Sequence, residues 1–135
     1  MGLLDLFRRK KKEEKIPENT EKEPSLTELE QICQNNREVY EALCNTMFLD
    51  PRKVDVSLKE AVEKAKTFEK AKDLLRAKMW YEIAGGLAIY KGNVKKVKEY
   101  FSKCEKISGK KYPILNNAEE AVAKAQEYYK KYLVS

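Results

Sequence analysis

The stretch from Ala77 to Asn93, reading AKMWYEIAGGLAIYKGN, is apolar nearly all the way round a helical wheel and carries a Gly85-Gly86 pair in its middle. A helix that is greasy on every side must be packed on every side. The segments before and after it are amphipathic at helical period, so they are the natural neighbours. A chain built this way has one central buried helix with others stacked around it, which describes a scaffold rather than a catalytic cleft. Each glycine costs a helix about 1 kcal/mol relative to alanine. A close helix crossing, where any side chain would clash, accounts for the pair. A simple kink is the alternative.

The flanking segments carry their own boundary signals. Residues 1–24 form a charged stretch, punctuated by Pro17 and Pro24, that is expected to be a disordered tail. Residues 25–135 are expected to form a single helical domain. Ser25 with Glu28 gives a capping box ahead of apolar positions at Leu26, Leu29, Ile32, Cys33, Val39, Tyr40, Leu43, Cys44, Met47 and Phe48. That predicts one helix ending at Asp50-Pro51. Ser57 with Glu60 opens a second, with Leu58, Ala61, Val62, Ala65 and Phe68 on its apolar face. A break near Lys66 to Lys72 would separate it from a central helix over about Ala71 to Lys91. Gly92-Asn93 makes the next turn, with Asn93 as N-cap. The fourth helix carries Val94, Val97, Tyr100, Phe101, Cys104 and Ile107, and Gly109 stops it. Asn117 with Glu120 predicts the start of a fifth, with Ala118, Ala121, Val122, Ala125, Tyr128, Tyr129, Tyr132 and Leu133 on one side. The expected fold is all-α, with about five antiparallel helices in a stack or bundle.

Composition excludes several functional classes. There is no histidine, which removes the commonest general base near neutral pH and the commonest metal ligand. Cys33, Cys44 and Cys104 lie far apart with no paired spacing for zinc, and all three are expected to be small buried apolar residues. Their odd number and the lack of a secretory pattern lead to the expectation of a cytoplasmic setting. No apolar run approaches the roughly 18 residues that span a bilayer. No phosphate-binding glycine loop and no nucleophile elbow occurs. Glu82 is the one carboxylate within the apolar helix, and Lys78 one turn earlier is its expected partner. The chain is expected not to be an enzyme, with no cofactor, metal or small-molecule substrate.

The segment from Trp80 to Gly109 resembles a tetratricopeptide-repeat helical hairpin. Tyr81, Ala84, Gly85 and Ala88 fill the first-helix positions of that motif, Gly92 its turn, and Val97, Phe101 and Cys104 its second helix. Val97 and Cys104 stand where alanine is usual, and Gly109 where proline is usual. Leu58 to Phe68 looks loosely like another second helix, one repeat length earlier. The resemblance implies a right-handed stack of helices with a groove for peptides or partner proteins.

Charge supplies the remaining candidates. Between Lys91 and Lys111 eight lysines face Glu99 and Glu105, and Lys95, Lys96, Lys103 and Lys106 are expected opposite the apolar arc. The first helix is acidic, with Glu28, Glu30, Glu38 and Glu41 against Arg37. A basic helix face attracts an acidic partner or nucleic acid; the plain alternative is a solvated lysine face. Beyond the first dozen residues arginine occurs only at Arg37, Arg52 and Arg76, which argues against specific nucleic-acid reading. Tyr112, Tyr128 and Tyr132 are the aromatic candidates for partner contact, with the core as their alternative place. The expected partner is another protein or peptide, including a second copy of the chain. A second option is a peripheral membrane adaptor. Leu3, Leu4, Leu6 and Phe7, followed by Arg8, Arg9, Lys10, Lys11 and Lys12, suit weak contact with an anionic membrane.

Overall fold

The computed structural model describes residues 24–34 and 36–133, with side chains from Glu28 onward. Every regular element among the described residues is helical. The α-helices are α1 (Pro24–Ile32), α2 (Arg37–Cys44), α3 (Leu58–Lys70), α4 (Leu74–Lys91), α5 (Val94–Ser108) and α6 (Ala118–Tyr132). Short 3-10 turns occupy Pro51–Lys53 and Pro113–Asn116. The all-α expectation holds, with one helix more than the sequence pattern predicts.

The extra helix comes from a break inside the segment expected to run as one helix from Ser25 to Asp50, and the second of the two helices stops at Cys44. Asn36 turns out to be an N-cap, its side-chain oxygen accepting the Val39 N–H at 3.1 Å. A side chain that satisfies a first-turn donor makes a new helix start cheap, even within a continuous apolar period. The predicted boundary between α3 and α4 falls at Ala71–Asp73. Lys72 makes that turn with φ +65°, and Asp73 caps α4 by accepting the Arg76 N–H at 3.3 Å. Ser57 and Asn93 cap α3 and α5 as expected, accepting from Glu60 and Lys96 at 3.1 Å each. Gly92 and Gly109 end α4 and α5 in the left-handed region, both at φ +74°. Asn117 does not cap α6; its side chain donates backwards to the Pro113 carbonyl at 3.0 Å.

Helix α4 is the centre, with α3 and α5 packed along it as two antiparallel hairpins. Ala61 and Ala65 of α3 and Ala77, Ala84 and Ala88 of α4 are fully buried, which lets those backbones approach closely. The glycine pair lies where helix and loop press on α4. A methyl group on Gly85 would stand 2.4 Å from the Phe101 ring of α5, and one on Gly86 would stand 2.6 Å from the Phe48 ring. Close crossing, not a kink, is what the pair provides.

Helix α6 covers another side of α4 and also contacts α1 and α2, so the last described helix meets the first two. Gln126 of α6 donates to the carbonyls of Ile89 at 2.8 Å and Tyr90 at 2.9 Å, adding a second donor to the Ile89 carbonyl, which also takes the Gly92 N–H, and tying α6 to the last turn of α4. The Tyr129 hydroxyl donates to the Phe48 carbonyl at 2.6 Å, and Asn36 donates to Glu120 at 3.1 Å. Leu29, Val39, Leu43, Tyr81, Ile89, Phe101 and Ile114 are the large side chains enclosed at the middle.

Two expectations about burial fail. The first turns of α4 keep part of their apolar surface uncovered: Leu75 is 76% exposed, and Leu74 and Met79 are 45% and 44% exposed. Cys44 is exposed because α2 ends there, while Cys33 and Cys104 are buried. No helix among the described residues is long and apolar enough to cross a membrane.

Candidate interaction groove

Because α3 and α5 both run antiparallel to α4, they run parallel to each other and leave a furrow above it. Leu58, Lys59, Val62, Glu63 and Lys66 form one wall, and Lys96, Glu99 and Tyr100 form the other. The furrow holds about 530 Å³. Its walls follow from helical spacing: 59, 62, 63 and 66 share one face of α3, and 96, 99, 100 and 103 share one face of α5. Leu58 and Val62 remain half-buried and form its apolar lining.

Tyr100 of the α5 wall backs onto the buried Tyr81 of α4. Tyr81 and Tyr100 stack at 6.3 Å between ring centres with planes 25° apart. The ammonium of Lys96 lies 5.9 Å from the Tyr100 ring centre, and that of Lys103 lies 5.8 Å from the Tyr81 ring centre. Further along, the Tyr81 hydroxyl donates to Glu69 at 2.7 Å, and Lys103 approaches the other oxygen of Glu69 at 3.4 Å. The hydroxyl of Tyr81, then Lys103, hold the Glu69 carboxyl below its ordinary range. Burial, then Glu69, push the Tyr81 phenol up. This cluster joins α3, α4 and α5 at one level and fixes the spacing of the walls.

The structure redistributes the sequence candidates. Lys96 and Lys103 stand on the groove side of α5. Lys95 and Lys106 are exposed on the side of α5 farther from the groove. Lys98, not singled out by the pattern, pairs with Glu119 at 2.9 Å. Tyr112 is half-buried; its hydroxyl donates to Glu82 at 2.6 Å, and its ring lies 5.7 Å from that of Phe101. Glu82 also takes the Lys78 ammonium at 3.2 Å, the partner expected from spacing. Tyr128 is a core residue, 2% exposed, and is withdrawn as a contact candidate: α6 turns it inward beside Ala125 and Val122. Tyr132 is half-buried against Tyr128, with ring centres 5.1 Å apart. Leu3, Leu4, Leu6, Phe7, Arg8, Arg9, Lys10, Lys11 and Lys12 lie outside the described residues.

Leu58, Lys59, Val62, Glu63 and Lys66 were not anticipated as site residues. Their pattern is that of an ordinary amphipathic helix, and only the parallel placement of α5 makes a wall of them. Among the described residues no three His, Cys, Asp or Glu side chains converge as metal ligands would. No family model matches the chain, and no curated protein or solved structure is significantly similar to it.

Proposed function

We propose that the chain is a non-enzymatic protein-interaction module, tetratricopeptide-like in its central hairpins, and that the furrow between α3 and α5 seats a partner segment carrying apolar and acidic side chains. The observation that carries this is the furrow's lining. Leu58 and Val62 offer apolar contact, Tyr100 offers an aromatic edge, and Lys59, Lys66 and Lys96 have no ion-pair partner among the described residues. Those three lysines outnumber Glu63 and Glu99 at the rim, which favours an acidic occupant. Binding would bury the apolar strip while the partner's carboxylates meet the lysines.

A displayed library of peptides mixing Asp or Glu with Leu, Ile and Phe supplies a defined probe. Selected binders are expected to shift the amide resonances of residues 58–66 and 96–100. They should lose about tenfold or more in affinity when Lys66 and Lys96 become Glu. Binders that map elsewhere, or that ignore both charge reversals, would refute the assignment. Single-stranded oligonucleotides provide the opposing arm. Binding with a steep salt dependence that vanishes on changing Lys95, Lys96, Lys103 and Lys106 to Glu would make the basic helix a nucleic-acid surface instead.

A further inference from the structure

The end of the bundle where α3 turns into α4 carries the largest apolar exposure among the described residues. Leu74 and Leu75 project there side by side, and Met79 extends the ridge one turn up α4. Ile83 continues the same face until Phe48 and Met47 cover it. The C-terminal end of α5 lies at the same level. The Cys104 thiol reaches the Lys78 carbonyl at 3.7 Å, and antiparallel register then sets Ser108 beside Leu74.

Lysines flank this ridge in sequence and in helix register. Lys70 and Lys72 precede it in the α3–α4 turn, and Lys106, Lys110 and Lys111 lie at and beyond the end of α5. All five are exposed and have no ion-pair partner among the described residues. The nearby acids are engaged. Asp73 caps α4 and pairs with Arg76 at 3.5 Å, Glu69 holds Tyr81 and Lys103, and Glu105 accepts the Tyr112 N–H at 3.0 Å.

Two exposed leucines at the α3–α4 turn, flanked by lysines without an ion-pair partner among the described residues, do not form a pocket for a side chain. They form a blunt apolar wedge with a positive collar, and the surface that matches both is planar, deformable and negatively charged. We infer that this tip docks on an anionic lipid bilayer, with Leu74 and Leu75 entering the acyl boundary and the lysines resting among the headgroups. Lysine stems suit that position, because their methylene chains lie along apolar surface while the ammonium stays in the polar layer. The groove opens between the walls of α3 and α5 and shares no wall residue with the ridge, so docking and partner binding are separable.

Sedimentation of the full chain with vesicles tests this. One preparation is phosphatidylcholine alone; the other is two parts phosphatidylcholine to one part phosphatidylserine. Binding is expected only to the second and should weaken as salt rises. Leu74→Ser with Leu75→Ser should reduce it about tenfold, since both side chains lose their transfer into the bilayer. Both positions face water, so the variant should keep the parent's helical circular dichroism and groove-peptide affinity. A second variant changes Leu3, Leu4, Leu6 and Phe7 to Ser. Vesicle binding lost only in that second variant, or absent from the parent, overturns the proposal. So does a concentration-dependent dimer abolished by the Leu74/Leu75 substitutions, which would make the ridge a contact between two copies.

Discussion

Replacing Gly85 with alanine tests the central packing directly. The added carbon would lie 2.4, 2.5 and 2.9 Å from three atoms of the Phe101 ring, where about 3.5 Å is the comfortable carbon–carbon separation. The ring must retreat by about 1 Å. It is 1% exposed, and Tyr112 lies against it with ring centres 5.7 Å apart. Tyr112 cannot yield freely, because its hydroxyl is bound to Glu82 at 2.6 Å and its N–H to Glu105 at 3.0 Å. Overpacking costs about 1–3 kcal/mol, the pinned ring puts this clash in the upper half of that range, and alanine returns about 1 kcal/mol of helix propensity. The net expectation is a loss of about 1–2 kcal/mol, a drop in Tm on the order of 5–10 °C for a domain of this size. Urea unfolding followed by helix circular dichroism and by the fluorescence of Trp80, the one tryptophan, gives the measurement. Phe101→Leu should absorb the extra carbon, so that Gly85→Ala costs little on that background. Gly86→Ala meets the Phe48 ring at 2.6 Å and the Thr46 carbonyl oxygen at 3.1 Å, a backbone contact that ring movement does not relieve, and should destabilise the chain as well. A Gly85→Ala chain as stable as the parent, or more so, would show that α4 and α5 are not held at the distance described.

Three further outcomes follow from the same contacts. Gln126→Ala should destabilise the chain by about 1 kcal/mol in the same urea titration, because the Tyr90 carbonyl loses its donor and the Ile89 carbonyl keeps only the Gly92 N–H. Thiol titration of the folded chain at neutral pH should show Cys44 reacting fast, with Cys33 and Cys104 following only on unfolding. Burial pushes both of those thiols up, Cys104 to about 12, so neither forms the reactive thiolate. The lowered pKa of Glu69 means that its stabilising contribution is complete above its ordinary carboxylate range and is lost as pH falls through the folded value. Tyr81→Phe removes the largest cause of that lowering, so its stability should fall less steeply with acid than the parent's.

Local signals located most of the helices. Ser57, Asn93, Gly92 and Gly109 act as the caps and stops that their chemistry dictates, and the Gly85-Gly86 pair marks a close approach as its composition implied. The break after Ile32 escaped notice because the apolar period runs on through it, and Asn36 was the only boundary signal. The α3–α4 turn was hard to place because Lys72, not a glycine, takes the positive φ. Features that join distant segments left no local trace. Gln126 at the end of α4, Tyr129 on the Phe48 carbonyl and the inward turn of Tyr128 depend on where α6 lies. The groove was half legible: Lys96 and Lys103 stood out by charge, whereas its α3 wall looked like any amphipathic face. Exposure of Leu74 and Leu75 was hidden for the opposite reason, since nothing in a run of apolar letters tells which sides of a helix its neighbours cover.

The return of α6 to α1 and α2 has a consequence for the order of assembly. Helices α3, α4 and α5 are consecutive and meet through tight turns, so their contacts close short loops and form early. The bonds from Tyr129 to Phe48 and from Asn36 to Glu120 join residues 81 and 84 positions apart, and these must wait for that nucleus. The two ends therefore act as a clasp fastened last and released first. Amides of α1 and α2 should exchange with solvent sooner than those of α4, through openings that leave the middle of the molecule intact.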